Sequence, residues 1–217
     1  MKVWMVVGTV LALCSSVSYA EPTVWLVHPD SALNSIQAAL DSCASNDIVL
    51  VCPGTYYENI VWPNTQGIHL ISECGPEVTI IDGSDTGTVV RLSGVTIDTS
   101  TIIRGFTIQN GRGHCYPGLN WEGGGIDCKT NASPIIVNNI IRDNIADSMG
   151  GGILSKGASP VIRDNIIMNN TAFWGGGVAQ WFPSCRPIIV SNTINGNNAS
   201  YYGGGIYANY YTSPVID

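Results

Sequence analysis

Charge is scarce in this chain. Asp, Glu, Lys and Arg make up 12% of 217 residues, with 9 Lys plus Arg against 16 Asp plus Glu and a formal net charge of −7. So few cations leave no basic stripe for nucleic acid or for an anionic membrane surface. A polyanion would need a bridging cation such as calcium. The 3 histidines are scattered and no Cys-x-x-Cys occurs, which removes the usual ligand spacing of a zinc site. Beyond the N-terminus no apolar run approaches the length of a membrane helix, so no membrane insertion is expected. Glycine (25 residues) and asparagine are plentiful instead. That composition is poor for helices and suits short strands joined by tight turns.

The first twenty residues read as a secretory signal: Lys2, an apolar run from Val3 to Leu13, then Ser18-Tyr19-Ala20 as a cleavage site after Ala20. Leu11-Ala12-Leu13-Cys14 loosely resembles a lipobox, but Leu13 is a poor fit where a small residue is wanted. The expected location is therefore secreted or cell-surface, with periplasm as the variant. Six cysteines remain after Cys14: Cys43, Cys52, Cys74, Cys115, Cys128 and Cys185. In an oxidising compartment an even number suggests disulfides, and Cys43–Cys52 and Cys115–Cys128 are preferred because each closes a short loop. Free thiols buried in a core are the alternative.

Residues 133–217 repeat. Pro134, Pro160, Pro187 and Pro214 recur at intervals of 26, 27 and 27, and glycine triplets start at Gly123, Gly150, Gly175 and Gly203. Asn139, Asn165 and Asn192 form one asparagine column; Asn144, Asn170 and Asn197 form another. A period of about 26 holding three short β-type segments describes a coil that cannot bury its apolar face alone, so the coils must stack. Ile136, Ile141 and Ile153, with Ile162, Ile167 and Val178 one coil later, are the expected core. Positive φ is expected at Asn139, Asn165 and Asn192, and tight turns at the glycines. Upstream, Gly105–Asn110 matches the 139–144 block, Val89–Leu92 takes the place of the glycine strand, and Ile48–Val51 reads as the first strand of that kind. About six such strands predict a solenoid roughly 30 Å long. Asn34-Ser35-Ile36-Gln37 opens a short helix whose Ile36, Ala39, Leu40 and Cys43 cover the first coil. The chain stops at the start of another coil, so residues 21–217 are expected to be an incomplete domain.

Ser35–Leu40, Asp47–Val51 and Pro53–Asn59 resemble the opening of bacterial right-handed parallel β-helix repeat proteins of the pectin-lyase-like superfamily. Gly75–Gly83 and Arg104–Ile108 fit the same pattern. The resemblance implies an all-β, single-stranded right-handed parallel β-helix with a short N-terminal capping helix. It also implies that substrate, in the enzymes, lies along the exposed face of one sheet, here the glycine-strand sheet. The superfamily's catalytic signatures are mostly missing: Gly113-His114-Cys115 fails the Gly-His-Gly of polygalacturonases, and neither the pectin methylesterase set nor a calcium-binding acidic cluster is present.

With Ile126, Ile153, Val178 and Ile206 inward, alternation puts Asp127, Leu154, Ala179 and Tyr207 outward, with Lys129, Lys156, Trp181 and Asn209 two residues on. Asp127 beside Lys129 and Lys156 pairs a carboxylate with a potential proton-abstracting base, or simply solubilises the face. Trp121, Phe173, Trp174, Tyr201 and Tyr202 precede glycine triplets, while Trp181, Tyr207, Tyr210 and Tyr211 fall in or after them. Aromatic faces stack on sugar rings, or else cover the rim of the core. The candidate carbohydrate-binding residues are thus Asp127, Lys129, Lys156, Trp174, Trp181 and Tyr207. Gly111–Glu122, with His114, is an insertion, where solenoids tend to place function. The expected partner is a polysaccharide or cell-surface glycan bound without catalysis. The alternative is a polysaccharide lyase or glycoside hydrolase. No cofactor is expected, calcium being needed only for polyuronates.

Overall fold

The computed structural model describes residues 21–116, 120–121, 123–182, 186–209 and 212–217. Short strands follow one another at the expected period, and each pairs in parallel with its equivalent one coil away. The first sheet has eight strands, from Val24–Val27 through Ile135–Val137 to Val215–Ile216. The second has six, from Gly54–Tyr57 to Thr193–Asn195, and the third six, from Ile60–Val61 to Ile206–Ala208. A smaller fourth sheet stacks Arg112–Gly113, Ile145–Ala146, Thr171–Trp174 and Asn198–Tyr202. The chain is the expected parallel β-helix. Ile48–Val51 is a correction: it pairs with Val24–Val27 and His69–Ser72 in the first sheet, and Ile60–Val61 opens the third.

Inward residues form one continuous core. Ile136, Ile141, Ile153, Ile162, Ile167 and Val178 are all fully buried in it, as the repeat predicts. The two asparagine columns run along its corners as hydrogen-bonded ladders. Asn139 Nδ2 donates to Asn165 Oδ1 at 3.2 Å and Asn165 Nδ2 to Asn192 Oδ1 at 3.0 Å; each amide also reaches a carbonyl of the preceding coil. Asn144, Asn170 and Asn197 repeat the pattern. Such buried amides are tolerable because every polar atom has a partner. Positive φ, however, falls one residue earlier than expected, at Asn138, Asp164 and Ser191 (53°, 56° and 54°). The left-handed residue turns the corner, and the ladder asparagine after it points inward.

The glycine triplets divide their work. Gly150, Gly175 and Gly203 adopt φ of 64–67°, the tight turn. The third glycines are excluded from substitution by proximity: a Cβ on Gly152 would lie 2.6 Å from the Gly177 carbonyl oxygen and one on Gly177 2.5 Å from that of Gly205.

The helix Ile36–Ser42 lies over the first coil with Ile36, Ala39 and Leu40 buried. Ser35, not Asn34, is the N-cap, its Oγ accepting from Ala38 N at 3.2 Å. The reciprocal acceptor comes from the coil beneath: Glu58 accepts from the Ile36 and Gln37 amides, both at 2.8 Å. Gln37 then lays its side-chain amide on strand Ile60–Val61, accepting from Val61 N at 2.8 Å and donating to Val61 O at 3.0 Å. The amide thus occupies an open strand edge.

The expected disulfides are a second correction. Cys43, Cys52, Cys74 and Cys128 are all thiols. Cys43 Sγ donates to Ala39 O of its own helix at 3.3 Å, away from Cys52. Cys128 points into the core between Leu92 and Ser155 of the neighbouring strands. Cys185 and the signal segment lie outside the described residues.

Candidate functional site

The outer surface of the third sheet carries two columns. One runs Arg91, Asp127, Leu154, Ala179, Tyr207; the other Ser93, Lys129, Lys156, Trp181. Alternation places these side chains outside the main core, as expected, but not all of them in solvent. Met149, Leu154 and Ala179 form a second buried cluster, capped by Trp174, Trp181 and Tyr207. Trp174 belongs to the neighbouring fourth sheet and folds back across the third.

Asp127 too is not on an exposed face. It is fully buried, which corrects its expected exposure. Lys129 Nζ lies 2.7 Å from its Oδ2. Burial pushes the Asp127 carboxyl up to about 6, against the opposing pull of Lys129 and, less strongly, Arg91. Lys156 is half-buried, and its ammonium is pushed below the usual lysine range by burial first and by the like charge of Lys129 second. Three cations thus surround one acid in a protein whose net charge is −7.

Lys129 and Lys156 line a shallow depression of about 390 Å³ with Thr130, Asn131, Gly157 and Phe182. Its floor is a column of left-handed corners at Thr130, Gly157 and Phe182, with φ of 52°, 66° and 97°. Positive φ in a bulky residue is an outlier. The Phe182 ring is thereby carried to 5.8 Å from Lys156 Nζ, a cation–π distance. Sequence reasoning did not single out Phe182, although the column Lys129–Lys156–Trp181 places it one step past a known rung.

The aromatic side chains gather on the later coils. Trp174 lies 6.4 Å from Trp181 and 6.5 Å from Tyr207, at interplanar angles of 28° and 27°. Trp181 and Tyr207 are 6.4 Å apart at 21°, and Tyr202 and Tyr207 are nearly parallel at 6.5 Å. Phe173 stacks on Tyr201 one coil on at 5.3 Å, and these two rings and Tyr202 are exposed. Trp174, Trp181 and Tyr207 are thus brought together, beside Lys156 on the adjacent rung. Tyr210 and Tyr211 lie outside the described residues. The insertion puts Arg112–Gly113 on the fourth sheet and pairs Cys115–Tyr116 with Asn120–Trp121 in an antiparallel hairpin. His114 is near Asp147 (3.7 Å), itself paired with Arg112.

Among the described residues, no three His, Cys, Asp or Glu side chains group to hold a metal ion, nor is any helix long and apolar enough to cross a membrane.

Residues 55–216 match the family model described as the right handed beta helix region. This chain belongs to that family. For this β-helix the match covers both asparagine ladders and the whole of the cluster above, and begins after the strands Val24–Val27 and Ile48–Val51. No curated protein matches the chain.

Proposed function

We propose that this β-helix is an extracytoplasmic protein that binds a polysaccharide or cell-surface glycan without cleaving it. The observation that carries this reading is the group of near-parallel rings of Trp174, Trp181, Tyr202 and Tyr207 beside the Lys129–Lys156 depression. Aromatic faces offer apolar area to the C–H faces of sugar rings, and these rings sit on two successive coils, Trp174 and Trp181 on one and Tyr202 and Tyr207 on the next. The lysines would donate to hydroxyl or acidic groups of the same chain. Asp127 supports the site from below, holding Lys129 in place. Trp181→Ala and Tyr207→Ala should each weaken retention on the glycan selected from a polysaccharide panel by about tenfold, the loss of one stacking contact. Retention unchanged in both variants would remove the proposed surface.

A second reading, a polysaccharide lyase or hydrolase, draws on Asp127 and Lys156, whose proton affinities are both displaced. Full burial keeps the Asp127 carboxyl from a substrate in this conformation. Release of unsaturated or reducing ends from the same panel, with and without calcium, would favour the enzyme. For location, export with cleavage after Ala20 should leave Glu21 as the first residue of the protein recovered outside the cytoplasm.

A further inference from the structure

The dipeptide Asn-Gly occurs twice, as Asn110-Gly111 and Asn195-Gly196. In it the side-chain Cγ of asparagine lies within covalent reach of the next backbone nitrogen, and glycine puts no Cβ in the way. The fold treats the two copies differently. Asn110 Nδ2 donates to Asp82 Oδ2 at 2.8 Å, and the Asn110 carbonyl accepts from Asp85 N at 2.7 Å. Gly111 is buried against the Gly124 carbonyl, and its amide donates to Asn144 Oδ1 at 2.8 Å, at the foot of the second asparagine ladder. The nitrogen that would attack is therefore held. Asn195 and Gly196, by contrast, are both exposed, and Gly196 turns a left-handed corner at φ 64°. Neither the Asn195 side chain nor the Gly196 amide has a hydrogen-bond partner among the described residues. Their strand, Thr193–Asn195, is paired on one side, and the Asn195 carbonyl accepts from Asn169 N at 3.2 Å.

We infer that Asn195 is a site of spontaneous covalent modification, at which the Gly196 nitrogen closes on the side chain and turns the asparagine into aspartate and isoaspartate. Water takes the Gly196 amide proton as that nitrogen attacks Asn195 Cγ. A C–N bond forms, the Cγ–Nδ2 bond breaks, and ammonia leaves with a proton from water, which gives a cyclic imide. A second water opens the imide. Cleavage at Cγ gives aspartate; cleavage at the main-chain carbonyl gives isoaspartate, whose backbone is longer by a methylene. Net, water is consumed and ammonia released, with no oxidant, cofactor or enzyme. The longer backbone meets a fixed contact two residues on, where Asn197 Oδ1 accepts from Asn170 N at 2.9 Å and Asn170 Nδ2 at 3.0 Å. The added methylene puts this ladder contact and the Asn195 contact out of step. It thereby loosens the coil that carries Tyr202 and Tyr207, whatever that surface binds.

The test incubates the full chain in mildly alkaline buffer, folded and in urea, and follows both Asn-Gly peptides by mass and by isoaspartyl methyltransferase labelling. In the folded protein Asn195 should convert at least about tenfold faster than Asn110, because Asn110 reacts only when its paired coil opens. In urea the two rates should converge. Asn195→Ser should remove the ammonia released by the folded chain. Amide exchange across Asn198–Tyr202 should quicken in aged protein and stay slow in aged Asn195→Ser. Asn195 intact in the folded chain after the urea sample has reacted overturns the inference. Equal conversion of Asn110 in the folded chain does so too, and unchanged exchange overturns the loosening of the coil.

Discussion

Asp127 shows how a single side chain can set a pH response in this fold. Unfolded, its carboxyl ionises near 4. Folded, it ionises at about 6, because burial outweighs Lys129. Between these values the folded state keeps a proton that the unfolded state has released, so the contribution of Asp127 to stability falls as pH rises from about 4 to about 6 and levels off above. The loss is about 3 kcal/mol for a group so fully buried. Asp127→Asn should flatten this part of the profile. Urea midpoints at pH 4 and pH 7 for both proteins check it, and equal slopes would remove Asp127 as the cause. The alternation that puts Asp127 outside the core was legible in Ile126-Asp127-Cys128-Lys129. Its burial was not, because alternation separates the two faces of a strand and does not report what lies over the outer one; the Gly123 backbone that reaches the carboxyl precedes the strand. The corner angles were misread for a similar reason. Asn139 and its column were recognised by spacing, but spacing does not separate the residue that turns from the one that bonds.

At the scale of elements, the N-terminal helix is too short to persist alone. Its stability comes from three buried residues and from Glu58, a carboxylate on the coil beneath that satisfies two amides at the helix start. Glu58→Ala should cost about 1–3 kcal/mol, and Glu58→Gln less, since an acceptor remains. Amide exchange within Ile36–Ser42 should speed up in both variants; exchange unchanged in Glu58→Ala would show that packing alone holds the helix. The helix itself was legible in Ser35–Leu40, and the partner of its first amides was not, since Glu58 lies a full strand away. Ile48–Val51 was assigned to the wrong sheet because Ile-Val-Leu-Val has no alternation to read. The outer surface of the first sheet is itself aliphatic, through Ile48, Ile135, Val161 and Ile188, so apolar content there does not tell inside from outside.

For the whole molecule, stability should vary along the axis. Central coils are paired on both sides and bury Ile141 and Ile167 completely, whereas Ile206 is half-buried and Ile216 exposed. In a stacked array each unit depends on its neighbours, so local opening costs least where pairing is one-sided. Hydrogen exchange should therefore be slowest at the amides of Ile141 and Ile167 and fastest among strands of Asn198–Tyr202 and Val215–Ile216. Uniform protection would mean that the solenoid opens as one unit. The aromatic group of the proposed site belongs largely to the later coils, so glycan should slow exchange there first.

The ladders and the glycine contacts also separate two kinds of freedom. At Gly152 and Gly177 the neighbouring coil dictates the residue, its carbonyl leaving no space for a methyl. The outer column of Lys129, Lys156 and Trp181 carries no such demand and holds unlike chemistry, whereas Asp127, Leu154 and Ala179 beside it are buried. The scaffold therefore works as a rack of fixed slots in which that one column is interchangeable. Specificity can be rewritten one slot at a time while the frame behind it stays the same.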